Sequence, residues 1–167
     1  MIRTLALLLL SAPLVAGCGL RPIYAGGASG QVATSLASIS VAPIPERAGW
    51  LTRNALVDRL GAVENKNAPY RLEVDLDDDI SGFGIRGDRS VTRERRTLRA
   101  RYRLVNAATG LVLLDATAGS DAGIDVVSSP YATVAAEQTA LERLSKVVAD
   151  QIVARLALYA TSRPIGQ

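Results

Sequence analysis

The chain has 167 residues, with 19 Lys and Arg against 16 Asp and Glu, one cysteine and no histidine, for a formal charge of +3. With no histidine and a single thiol, Ser–His–Asp triads, Cys–His pairs, ordinary zinc sites and an internal disulfide are all excluded. Lys66 and Lys146 are the only lysines, so nearly every cation is an arginine, whose planar fork grips carboxylates and phosphates in paired geometry.

Residues 1–17 read as a signal peptide. Arg3 supplies a positive start, and Leu5 to Leu10 with Leu14 and Val15 form an apolar run too short to span a bilayer. Small residues then lead into Cys18, and Val15-Ala16-Gly17-Cys18 fits the lipobox of bacterial lipoproteins. At such a site the thiol receives a diacylglycerol, the chain is cut before the cysteine, and the new amino terminus is acylated. A covalent lipid on Cys18 is the one attached group expected; no cofactor and no metal are. Gly19 stands where an aspartate favours inner-membrane retention in many Gram-negative bacteria. The expected address is therefore the periplasmic face of the outer membrane, held by several acyl chains. Residues 18–36, rich in Gly, Ala and Ser, read as the acylated cysteine and a flexible tether. Residues 37–162 are expected to form a single domain and 163–167 a C-terminal tail.

Ile39 to Pro45 alternates weakly and contains prolines, which predicts a short edge strand. From Gly49 to Leu60 apolar residues recur at helical spacing, with Gly61 as the stop. Tyr70 to Ile80 is a clean strand: Tyr70, Leu72, Val74, Leu76 and Ile80 share one parity, while Arg71, Glu73, Asp75, Asp77 and Asp79 share the other. Ser90 to Val105 is a second strand, with Leu98, Ala100, Tyr102 and Leu104 opposite Arg99, Arg101 and Arg103. Antiparallel pairing of the two would set the acidic row beside the arginine row. Asn106 to Gly110 is a turn, Leu111 to Ala118 a third strand of a meander, and Gly119 to Ser129 a loop. A long helix follows from Pro130 to Tyr159, burying Leu141, Leu144, Val148, Ile152 and Leu156. The predicted fold is α+β, with two helices packed on one face of a four-stranded, mainly antiparallel sheet in the order β-α-β-β-β-α.

Candidate chemistry is sparse, and the chain reads as non-enzymatic, with no catalytic residue. Gly82-Phe83-Gly84-Ile85-Arg86-Gly87 matches a dinucleotide fingerprint, but an arginine-rich strand follows it where a helix is required. Asp75, Asp77 and Asp79 resemble the start of a calcium loop, yet Ile80 occupies the place of its turn glycine. The basic run is more informative. Arg99, Arg101 and Arg103 are expected to neutralise the acidic strand, whereas Arg86, Arg89, Arg93, Arg95 and Arg96 would extend past its carboxylates. There they could bind a polyanion. Export argues against nucleic acid as that partner, and in the outer envelope the abundant polyanion is lipopolysaccharide.

A family resemblance joins these pieces. It is carried by Cys18-Gly19-Leu20-Arg21-Pro22-Ile23-Tyr24, Thr52-Arg53-Asn54-Ala55-Leu56, Tyr70-Arg71-Leu72-Glu73-Val74, Thr92-Arg93, Ala100-Arg101-Tyr102-Arg103-Leu104 and Ser129-Pro130-Tyr131-Ala132. The chain resembles the lipopolysaccharide-assembly lipoproteins of the LptE family, in the divergent form found in alphaproteobacteria. That resemblance implies a plug and assembly partner seated in a large outer-membrane β-barrel, LptD. The pair would receive lipopolysaccharide and place it in the outer leaflet, with basic residues of the lipoprotein contacting the ligand. Arg86 to Arg96 are chosen by charge, not by the resemblance. The alternative is a periplasmic lipoprotein auxiliary to a lipid-handling ABC transporter.

Overall fold

Strict alternation from Tyr70 onward demands a sheet with one face covered and the other open, and the computed structural model, which describes residues 30–61, 67–85 and 91–162, has that arrangement. In chain order it contains α1 (Gln31–Ala37), β1 (Ile39–Val41), α2 (Glu46–Leu60), β2 (Tyr70–Ile85), β3 (Val91–Asn106), β4 (Val112–Asp125) and α3 (Pro130–Ser162). The strands form one sheet in the order β1-β2-β3-β4. Strand β1 is parallel to β2 across the α2 crossover, while β2, β3 and β4 form an antiparallel meander. The fold is α+β, as the alternations imply.

Even-numbered residues of the meander face the helices. Leu72, Val74, Leu98, Ala100, Tyr102, Leu104, Ala122 and Ile124 are buried there against Leu56 and Leu60 of α2 and Leu144, Val148, Ile152 and Leu156 of α3. Helix α3, about 50 Å long at 1.5 Å per residue, returns antiparallel to β4. Thr133 Oγ1 accepts from the Val127 amide, the Glu137 carbonyl lies by Arg96, and Gln151 reaches Gly119. The loop into α2 is tight: Glu46 takes φ 65°, and Gly49 leaves room for the Ile44 carbonyl. Helix α2 ends where expected, at Gly61 with φ 62°. The turn after β3 is closed by Asn106 Oδ1, which accepts from the amides of Ala108 and Thr109.

Several boundaries differ from the sequence expectation: β1 already stops at Val41 and α2 already begins at Glu46. A helix, α1, occupies Gln31–Ala37 within the stretch assigned to the tether, and its Leu36 is buried in the core. The domain thus starts before residue 37. Strand β2 runs five residues past the expected end at Ile80, to Ile85, so Gly82, Phe83 and Gly84 lie within the strand. Strand β4 continues to Asp125 through the segment expected to be a loop from Gly119, because its backbone pairs with Arg93 to Arg99 of β3. Helix α3 persists to Ser162. Among the described residues no helix is long and apolar enough to cross a membrane.

Candidate functional site

The odd-numbered residues of β2, β3 and β4 form a sheet face that no helix covers. Cross-strand register places Glu73 opposite Arg103, Asp75 opposite Arg101 and Asp77 opposite Arg99, as expected. The bonding differs from that expectation. Arg103 pairs with Glu73 at 3.2 Å, but Arg101 turns to β4 and holds Asp115 with Nε and Nη2 at 3.2 and 2.9 Å. Arg99 lies across Gly119, where a Cβ would sit 2.6 Å from its Cδ, and donates to the Ser120 carbonyl at 3.2 Å. The consequence for β2 is that Asp75, Asp77 and Asp79 have no ion pair among the described residues. The hydrogen bond from Arg101 holds the Asp115 carboxyl below its ordinary value, and the Arg101 pKa rises in return.

Between these rows runs an open trough of about 690 Å³, lined by Asp75, Asp77, Arg99, Arg101, Thr117 and Asp121 among others. The three aspartates of β2 sit along one extended strand, so they do not curl around a point as calcium-loop ligands do. Charge of both signs lines the floor, which suits a polar protein surface better than a phosphate-rich ligand.

The predicted polyanion residues separate into three groups. Arg86 and Arg89 lie outside the described residues, as does Cys18. Arg93 and Arg95 are on the open face near its far end. Arg93 Nε reaches Asp125 at 2.9 Å, with both side chains well over half exposed, so the pair is weak and available to a competitor. Arg95 stacks its guanidinium 5.3 Å from the centre of the Phe83 ring and has no carboxylate partner among the described residues. Arg96 is different, and the expectation that it extends past the carboxylates is corrected. It points to the helix side, donates to both oxygens of Asp78 at 2.8 and 2.6 Å and to the Glu137 carbonyl at 3.0 Å, and is 12% exposed. Its hydrogen bond to Asp78 raises its pKa against the opposing effect of burial. Arg96 fastens α3 to the sheet. Even parity with Leu98 and Ala100 was the signal that set it apart from Arg93 and Arg95.

Sequence reasoning missed the partners supplied by β4. Asp115, Asp121 and Asp125 alternate with Ala116, Ala118, Ala122 and Ile124, a period of two that the glycines and serine of the segment obscure. It also missed the edge of β4, where the Gln151 carboxamide accepts from the Gly119 amide at 3.0 Å and donates to its carbonyl at 3.3 Å. Among the described residues no group of three His, Cys, Asp or Glu is placed to hold a metal ion.

The sequence profile of the family described as LptE, lipopolysaccharide-assembly, matches residues 36–156. Among solved structures the chain is similar to a lipoprotein from Caulobacter crescentus CB15, at 27% identity and a TM-score of 0.68, covering 80% of this chain and 98% of that one. It is also similar to a minor lipoprotein from Acinetobacter baumannii, at 14% identity and a TM-score of 0.61, covering 78% and 97%. Rare lipoprotein B from Shewanella oneidensis matches at 13% identity and a TM-score of 0.57, covering 74% and 95%. At such identities the last two are likenesses of fold. No curated protein matches the chain.

Proposed function

Because the chain belongs to the LptE family of lipopolysaccharide-assembly proteins, matched over residues 36–156, we propose that it is an outer-membrane lipoprotein, lipidated on Cys18, that works with a large LptD-like β-barrel. In this reading it is a plug and assembly partner, not an enzyme, and it helps place lipopolysaccharide in the outer leaflet. The supporting observation is the family match over almost the entire described domain. Two features of the open face agree with it. Its mixed charges suit the polar lumen of a large barrel, and its far end carries Arg93 and Arg95, both exposed, leading to Arg86 and Arg89 in the connecting segment. These four arginines are the proposed contacts for lipopolysaccharide phosphates or for acidic groups of the barrel. Arg96 is not among them, since Asp78 and the Glu137 carbonyl already engage each of its three nitrogens on the helix side of the sheet.

The test compares Arg93→Glu with Arg95→Glu against Arg99→Glu with Arg101→Glu, in chains shown to be folded. Charged hydrogen bonds contribute about 1.5–3 kcal/mol each, so the far-end pair should weaken lipopolysaccharide binding by more than about tenfold. The second pair should have a smaller effect. Equal binding by the far-end variant and wild type would remove the ligand assignment. Capture from solubilised envelope should bring down a large outer-membrane barrel; an inner-membrane permease in its place would favour the transporter-auxiliary reading.

A further inference from the structure

The two edges of the sheet are treated differently. In an antiparallel ladder each residue directs its N–H and C=O to one neighbour, and the next residue directs its pair to the other. On β4 the odd residues point outward, and Gln151 occupies the outward groups of Gly119 with two hydrogen bonds, as a strand would. On β2 the even residues point outward, since the Leu72 carbonyl accepts from Ala42 while the Pro69 carbonyl accepts from Ala107 on the other side. The three-residue β1 covers Tyr70 to Leu72. Beyond it, the outward amides and carbonyls of Leu76, Asp78, Ile80 and Gly82 have no hydrogen-bond partner among the described residues. The β2–β3 register is unbroken from Tyr70 to Phe83, so these groups form one continuous row along the edge.

The side chains beside this edge are charged in one sense. Asp75, Asp77 and Asp79 project onto the open face from β2, and the arginines opposite the first two have turned away, to Asp115 and to the Ser120 carbonyl. Thr97 stands opposite the third. A strand added at this edge would place the Cβ atoms of its opposing residues about 4.5–5.5 Å from those of the three aspartates. Lysine or arginine there supplies the charge that β3 withholds. A second copy of the same edge would bring two acidic rows together, which disfavours self-pairing.

We propose that the free edge of β2 from Leu76 to Gly82 is a docking strand for an extended segment of a partner protein bearing lysine or arginine at alternate positions. Backbone hydrogen bonds supply the attachment, and the aspartate row sets the charge and register of the incoming strand. The proposal is independent of the arginine contacts assigned above.

The experiment uses the full chain in detergent micelles and two blocked peptides of about ten residues, one alternating valine with lysine and the other valine with glutamate. Amide hydrogen exchange is the readout. The lysine peptide should slow exchange at Leu76, Asp78, Ile80 and Gly82 by at least about tenfold, and the glutamate peptide should not. Ile80→Pro removes one outward donor, and because that N–H points away from β3 the inner ladder is retained. This variant should lose the protection. The triple variant Asp75→Asn, Asp77→Asn, Asp79→Asn keeps every backbone group and should lose the preference for lysine over glutamate, which decides the matter if the proline variant does not fold. The proposal fails if the lysine peptide protects none of the four amides, if the glutamate peptide protects them equally, or if the triple variant keeps the preference. Protection that grows with protein concentration in the absence of peptide would assign the edge to a second copy and overturn it.

Discussion

At the scale of single residues, parity along a strand decides which arginines are structural and which are free. Arg96 and Arg93 are three positions apart on β3, yet one holds the helix layer and the other faces solvent. Breaking a largely buried pair strands the remaining charge and costs about 3–5 kcal/mol, whereas an exposed pair contributes about 0–1 kcal/mol. Arg96→Ala should therefore lower the denaturation midpoint strongly, while Arg93→Ala should leave it nearly unchanged. A second prediction concerns acid. The Asp115 carboxyl is held below its ordinary value by Arg101, so the stabilisation it gives is complete above the unfolded pKa and is lost as pH falls through the folded one. Arg101→Gln should bring the Asp115 titration, followed by NMR, back toward the ordinary carboxylate range. An unchanged titration would show that the pair does not persist in solution.

Elements were legible in the sequence where side chains alternate in polarity and obscure where they do not. Over much of their length strands β2 and β3 set charge against aliphatic residues, so the apposition of the acidic and arginine rows could be read from the sequence, while the register itself, with Glu73 opposite Arg103, came from the structure. The far half of β4 could not. Gly119, Ser120 and Gly123 lack the bulk that marks a strand, and the ladder with β3 that holds them extended is a tertiary fact. Helix α1 was hidden because its seven residues carry no side-chain cap and only two large apolar groups, Val32 and Leu36, too short a run to show a helical period. The candidate site was half legible. The arginine run was plain, but its allocation between Asp78, Asp115 and Asp125 depended on parity at one residue and on a strand whose length was underestimated. Helix α2 supplies a prediction of its own. Gly→Ala in a helix interior ordinarily stabilises by about 0.5–1 kcal/mol, but a Cβ at Gly49 would lie 2.6 Å from the Ile44 carbonyl oxygen. Gly49→Ala should thus destabilise the domain, visible as a lower midpoint of thermal unfolding.

At the scale of the whole molecule, the sheet has one covered face and one open face, and the lipid proposed on Cys18 would hold it at the membrane. Cys18→Ala should abolish incorporation of a fatty-acid label and release the protein from outer-membrane fractions, because two or more acyl chains are needed for stable anchoring. Equal label on the variant and wild type would remove the lipoprotein assignment.

The short parallel strand β1 also has a mechanical meaning. It follows α1 directly and is three residues long, whereas the β2–β3 ladder that it joins spans more than a dozen residue pairs. Tension applied through the N-terminus enters the fold at α1 and β1 and meets the fewest hydrogen bonds there. The meander and α3 are held by longer, mutually braced contacts and lie behind that point in the line of force. Were the N-terminus held by the lipid proposed on Cys18, this end would act as a fuse: a pull would yield first where Leu36 and Ile39 leave the core, and the open face would keep its shape.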